Sequence, residues 1–145
     1  MMRFFRTVAS LLLVASVFLA GCASSPHNKM PKAVEDRAIK RWELLIAGQT
    51  AEAYDYLAPG YRLTKAKDVY TKENLTRPVQ WTSVKYMDKD CHDDACTVRV
   101  YLTYKVKIHV AVPVTETFSI LQEKWVKVDG EWFYLPDRLG SSKVK

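Results

Sequence analysis

Glycine and proline are scarce in this chain, 5 and 6 among 145 residues, which excludes collagen-like repeats and linker-like disorder. No internal repeat is visible, and no catalytic signature runs through the sequence. Cysteine is limited to 3 residues, too few for a disulfide-dense scaffold. Neither sign of charge dominates. With Arg3 and Arg6 set aside as part of a leader, the remaining chain carries a net charge of about +4, only mildly basic. What is present is the composition of a globular domain, 48% hydrophobic and 26% charged. At 16.7 kDa the chain has the size of one domain with one core.

The amino terminus reads as an export signal. Two arginines lie within Met1–Arg6, and Val8–Ala20 then runs without a charge. Those 13 residues would rise about 20 Å as a helix, short of the ~30 Å hydrocarbon core, so cleavage is expected rather than a permanent span. Leu19-Ala20-Gly21-Cys22 follows directly. It resembles the lipobox of bacterial lipoproteins: an apolar residue, two small residues and a cysteine. The resemblance implies a thioether from Cys22 to diacylglycerol, cleavage before Cys22, acylation of the new amine, and anchoring in a membrane. Several acyl chains hold where one is marginal. Ala23 and Ser24 follow where an acid would signal inner-membrane retention, so the resemblance favours the outer membrane, facing the periplasm. Residues 22–30 are then the lipidated cysteine and a polar tether, whose last eight residues reach at most about 28 Å. His27, alone in that linker, is read as solvated.

Residues 31–138 form the expected domain and 139–145 a polar tail. Pro31, the acids Glu35 and Asp36, and Val34, Ala38, Trp42, Leu45 and Ile46 at helical spacing predict an amphipathic helix over about 32–47, stopped by Gly48. Thr50 is the expected cap of a short helix through Leu57, before Pro59-Gly60 turns the chain. Thr64 is the expected cap of a third, over 65–73, burying Ala66, Val69 and Tyr70.

From Trp81 the period changes to 2. Cys96, Val98, Val100, Leu102, Tyr104, Val106, Ile108 and Val110 alternate with polar or aromatic residues, predicting a 15-residue strand too long to stay straight. Val112-Pro113 reverses the chain, residues 114–128 return, Asp129-Gly130 suits a type I′ hairpin, and 131–135 is the last strand. In the returning strand the apolar parity changes at Gln122 and Glu123, and a β-bulge there is the expected cause.

Helices followed by about four antiparallel strands predict an α+β domain, its helices packed on the concave face of a strongly curved sheet. The order resembles the nuclear transport factor 2-like, or cystatin-like, cone fold. The resemblance is carried by Trp42-Glu43-Leu44-Leu45-Ile46-Ala47-Gly48, Ala53-Tyr54-Asp55-Tyr56-Leu57-Ala58-Pro59-Gly60-Tyr61-Arg62 and Lys124-Trp125-Val126-Lys127-Val128-Asp129-Gly130-Glu131-Trp132. These segments look like small bacterial lipoproteins of that superfamily.

Cys91-His92-Asp93-Asp94-Ala95-Cys96 is the one cluster that looks chemical. It could hold zinc, but two cysteines flanking a turn in an exported chain favour a disulfide, and no metal or cofactor is expected. Arg99, Lys105 and Lys107, with His109, form a basic stripe suited to anionic headgroups or an acidic partner, or simply to solvent; export excludes nucleic acid. Trp42, Tyr54, Tyr104, Phe118 and Trp132 are candidate walls of a ligand pocket, or else core. The expected function is non-catalytic: an envelope accessory domain binding a protein partner or a small apolar ligand. The rival is a cavity enzyme of the isomerase or dehydratase type. The inward residues from Val98 to Val110 offer it no acid or histidine, which leaves Glu116, sharing parity with Val114, Phe118 and Ile120 and set opposite Tyr54 or Tyr104, as the best remaining candidate base.

Overall fold

The computed structural model describes residues 32–106 and 116–137. Cys22 with its tether, Lys107, His109, Val114 and the tail lie outside the described residues. Among the described residues no helix is long and apolar enough to cross a membrane.

Helix α1, Val34–Ile46, follows the expected apolar stripe and buries Val34, Ala38, Trp42, Leu44 and Leu45. Glu35 and Asp36 occupy its first turn, where the helix dipole favours negative charge. At its end Gly48 (φ +77°) takes the left-handed conformation, its N–H donating to Leu45 O (3.2 Å) and that of Gln49 to Leu44 O (2.8 Å). This Schellman closure satisfies carbonyls that would otherwise lack partners. Next come α2, Thr50–Ala53, a 3₁₀ turn at Tyr54–Tyr56, α3, Pro59–Arg62, and α4, Lys67–Leu75. Two expected caps are corrected. Gln49 rather than Thr50 precedes α2, and Ala66 precedes α4 while Thr64 donates its hydroxyl to Tyr61 O. Of the residues assigned to the third helix's buried face only Tyr70 is buried, because α4 rests on α2 and the 3₁₀ turn by one narrow edge.

Strands β1 (Val79–His92), β2 (Ala95–Val106), β3 (Glu116–Val128) and β4 (Glu131–Leu135) form one antiparallel sheet in sequence order. Asp129 (φ +51°) and Gly130 (φ +84°) adopt the two positive φ values of a type I′ turn. The sheet is not strongly curled, contrary to expectation. Central strands β2 and β3 pair without interruption from Ala95↔Val126 to Lys105↔Glu116, so there is no bulge at Gln122. The irregularities lie instead in edge strand β1, between Trp81 and Ser83 and between Tyr86 and Asp88. An unbroken pleat keeps one parity throughout, which sets which β3 residues face the helices.

Helix α1 crosses the inner face of the sheet. Its first turn lies at the end carrying the β1–β2 and β3–β4 turns, where Glu35 accepts a hydrogen bond from Lys89 (2.6 Å) and Arg37 approaches Glu131 (3.9 Å). Between helix and sheet lies the core: Trp42, Leu44, Leu45, Val98, Val100, Leu102 and Trp125. A smaller cluster of Tyr54, Leu57 and Tyr70 secures the short helices, with Leu57 bridged to Tyr134 and the Ala58 N–H donating to Tyr134 O (2.8 Å).

Candidate functional site

The two faces of the sheet differ in kind. Inside, at the level where a cavity was expected, three charged side chains are buried. Glu123 shares parity with Leu121 and Trp125 and so points at α1, where it is 2% exposed. Its Oε1 accepts hydrogen bonds from Arg41 Nη1 (2.8 Å) and Trp42 Nε1 (2.9 Å), and its Oε2 from Trp125 Nε1 (3.2 Å). The Arg41 guanidinium sits 4.0 Å from the centre of the Tyr134 ring and 5.1 Å from that of Trp42. One turn earlier Arg37 lies between the rings of Tyr56 and Phe133, at 5.3 and 5.1 Å.

Burial pushes the Glu123 carboxyl above its ordinary range, against the opposing pull of Arg41 and the two indoles. Burial is the largest single influence on Arg41 and works against its charge, but Glu123 together with Tyr70 and Tyr134 carries the net direction upward, so Arg41 is a fixed cation. The Tyr134 hydroxyl is pushed up to about 12, chiefly by burial. This cluster fills the space under the sheet with large side chains, three of which donate hydrogen bonds to Glu123. Among the described residues, openings lie elsewhere. A shallow surface groove of about 650 Å³ runs between α2 and α4, past Ala51, Thr71 and Leu75. A pit of about 120 Å³ beside Ile46, Asn74 and Val79 falls short of the roughly 300 Å³ at which ligand pockets begin.

The candidate pocket residues are not brought together. Trp42 is core, and Trp132 is half-buried against it. Tyr54 belongs to the second cluster, its hydroxyl 2.8 Å from Lys65 O. Tyr104 is half-buried, 3.2 Å from the Ser119 hydroxyl. Phe118 and Glu116 lie on the opposite, outer face, because their parity is that of Gln122 and Lys124 rather than of Trp125. The structure therefore places Glu116 in solvent, accepting a hydrogen bond from the Thr82 hydroxyl (2.6 Å), and not in a cavity beside a tyrosine. The expected hairpin clamp is present: Cys91, exposed, and Cys96, buried, are cross-strand partners joined by a disulfide. No cluster able to hold a metal ion occurs among the described residues.

Of the basic stripe, Lys105 is exposed, but Arg99 is spent on a two-pronged pair with Asp88 across the strands. The feature of the outer face is apolar instead. Tyr101 stacks on Phe118, ring centres 4.8 Å apart and planes 19° from parallel, and Ile120 stands directly across from Tyr101. Phe118 is 56% and Ile120 52% exposed. A lone exposed apolar residue is ordinary, but adjacent ones on central strands of a sheet mark a surface meant to be covered. Sequence reasoning missed this patch, and missed Arg37, Arg41 and Glu123. For the strand residues the signal was parity: the position of Glu123 two residues before Trp125, and of Phe118 and Ile120 on the other register; Arg37 and Arg41, on α1, left no such mark.

No family model and no curated protein matches the chain. Among solved structures, 22 chains match. A SEC-C motif containing protein from Rhodopseudomonas palustris has a TM-score of 0.56 at 11% identity, over 72% of this chain and 77% of that one. A Campylobacter jejuni protein described as an NTF2-like transpeptidase scores 0.48 at 19% identity, over 71% of this chain and 97% of its own. A Xanthomonas campestris protein described as a calcium/calmodulin dependent protein kinase II association domain scores 0.41 at 15% identity, over 72% and 86%. The likeness is one of fold: an α+β domain with N-terminal helices packed on a four-stranded antiparallel sheet. At such identities it extends no further.

Proposed function

We propose that this protein is a lipoprotein of the bacterial cell envelope, of the nuclear transport factor 2-like kind, anchored by Cys22 and probing its surroundings with the outer face of its sheet. Its domain binds a protein and catalyses nothing. The observation that carries this reading is the contrast between the faces. The inner side is filled by Trp42, Trp125, Arg41 and Glu123, whereas Phe118 and Ile120 stand bare outside beside a half-buried Tyr101. A small apolar ligand would need an interior volume; a protein needs only the face. The anchor rests on Leu19-Ala20-Gly21-Cys22 after an apolar run, and Ala23-Ser24 favours the outer membrane.

Two measurements test the proposal. Cells fed a labelled lipid precursor are expected to label the wild-type chain and not Cys22→Ala; label in both, or in neither, refutes the anchor. A photoreactive residue at position 120 in intact cells is expected to give one discrete protein adduct, and the same residue at position 72 on α4 none. Equal yields from both positions refute the docking face.

A further inference from the structure

We propose that the exposed side of α4, with the turn before it, lies against the anionic phospholipid headgroups of the bilayer that holds the anchor. This rests on the anchoring at Cys22 proposed above. Three large apolar side chains stand exposed on this one stretch: Leu63 is 89%, Leu75 59% and Val69 43% exposed. Along α4, Tyr70, Thr71 and Asn74 turn toward the body of the domain, while Val69, Lys72 and Leu75, spaced by three, share the exposed side. Cations surround them. Residues 62–77 hold Arg62, Lys65, Lys67, Lys72 and Arg77 against Asp68 and Glu73. Lys65 is paired with Glu73 and Lys67 with Asp55, surface pairs that hold loosely in water, and Arg77 lies over the Trp81 ring (5.7 Å). The groove of about 650 Å³ beside α4 is lined by Ala51, Thr71 and Leu75 together with Lys67, Asp68 and Lys72. Apolar groups among long cations suit a headgroup boundary: the first enter the acyl margin and the lysines reach back to phosphates.

Charge disfavours the two other surfaces that could meet the bilayer. The end nearest the tether exposes Asp36, Asp90, Asp93, Asp94, Asp129 and Glu131 against Lys32, Lys89 and Lys127, so anionic headgroups repel it. On the outer face of the sheet Lys105 is balanced by Glu116 across the strands and Arg99 by Asp88, so that face gains nothing from such a surface. Helix α4 joins the body through α2 and the 3₁₀ turn, on the helical side of the molecule. Resting on it leaves Phe118 and Ile120 turned away from the membrane and open to a protein. The tether is long enough for this posture. Its reach of about 28 Å exceeds the roughly 20 Å rise of α1, which separates the tether's attachment from the level of Leu75 beside Ile46 and Gly48.

The test uses the full-length chain as purified from cells, in vesicles of phosphatidylethanolamine and phosphatidylglycerol, with a photoreactive residue at position 69 or at position 120. Mass spectrometry of the irradiated chain reads both the acyl groups on Cys22 and any phospholipid added. Position 69 is expected to gain a phospholipid and position 120 none. With the photoreactive residue at 69, Lys72→Glu should lower the yield about fivefold, the effect of about one cation lost at an anionic surface, and Lys72→Arg should keep it within about twofold. Vesicles of phosphatidylcholine alone should lower it in the same way. Equal yields from positions 69 and 120 overturn the proposal, as does a yield at 69 indifferent to both Lys72→Glu and the loss of phosphatidylglycerol. An acylated chain that gives no adduct from 69 overturns it while the anchor stands, and a chain without acyl groups overturns both.

Discussion

Removing the carboxylate of Glu123 should be among the most damaging single changes in this domain. In Glu123→Leu the side chain keeps its bulk, but Arg41 is left as a buried cation, 6% exposed, and the indole N–H groups of Trp42 and Trp125 lose their acceptor. Stripping one partner from a buried pair costs about 3–5 kcal/mol, a large share of the roughly 5–15 kcal/mol that holds a domain together. With a slope near 1.5 kcal/mol per molar for a chain of this size, the midpoint of urea unfolding should fall by about 2–3 M, read by tryptophan fluorescence. Arg41→Met with Glu123→Leu should recover to within about 2 kcal/mol of wild type, the remainder being the two unpaired indoles.

The pH dependence supplies a second check on the same argument. Burial raises the Glu123 pKa, so its contribution to stability is complete below the unfolded value of about 4.3 and is lost as pH rises through the folded value. In Arg41→Met the main opposing charge is gone and the carboxyl rises further. That variant should therefore lose more stability than wild type between pH 5 and pH 8. A Glu123→Leu variant within 1 kcal/mol of wild type, or an Arg41→Met variant more stable at pH 8 than at pH 5, would refute the reasoning.

Tyr134 should ionise late: in an alkaline titration followed at 295 nm one tyrosine is expected to lag to about pH 12, and its share of stability, complete below about pH 10, should disappear across that interval. The Cys91–Cys96 bridge closes a loop of about six residues, so Cys96→Ser should cost about 2 kcal/mol and leave a cooperative fold; two thiols alkylated in the denatured, unreduced wild type would contradict the bridge.

The elements were legible where one physical rule dominated. The stripe Val34, Ala38, Trp42, Leu45 shows α1, strict alternation shows β2, and Asp129-Gly130 shows its hairpin, because helix period, pleat and positive φ each leave a local mark. The inner site was not legible, because charged residues are by default assigned to solvent. Arg37 and Arg41 stand one turn apart beside Ala38 and Trp42, and only their contact with strands more than eighty positions away reveals that they face inward. The same default led to a bulge at Gln122. Reading Glu123 as a break in the apolar pattern required the pleat to slip, whereas the pleat is continuous and Glu123 is the inward residue. Placing Phe118 and Ile120 outside was then unavoidable, and their exposure became visible only once the register was known.

The irregularities of β1 bear on how this protein avoids aggregating. An edge strand of 14 residues is a long template for another chain's backbone, and edge-to-edge addition has no natural end, since each newcomer offers an edge of its own. The two register breaks, at Trp81/Ser83 and Tyr86/Asp88, divide that template into lengths too short and too twisted to be copied. At the other border β4 has only five residues and is partly covered by Leu57 and Ala58. Growth into fibres is thereby discouraged at both borders, and any assembly this domain enters is directed toward closed forms of fixed stoichiometry.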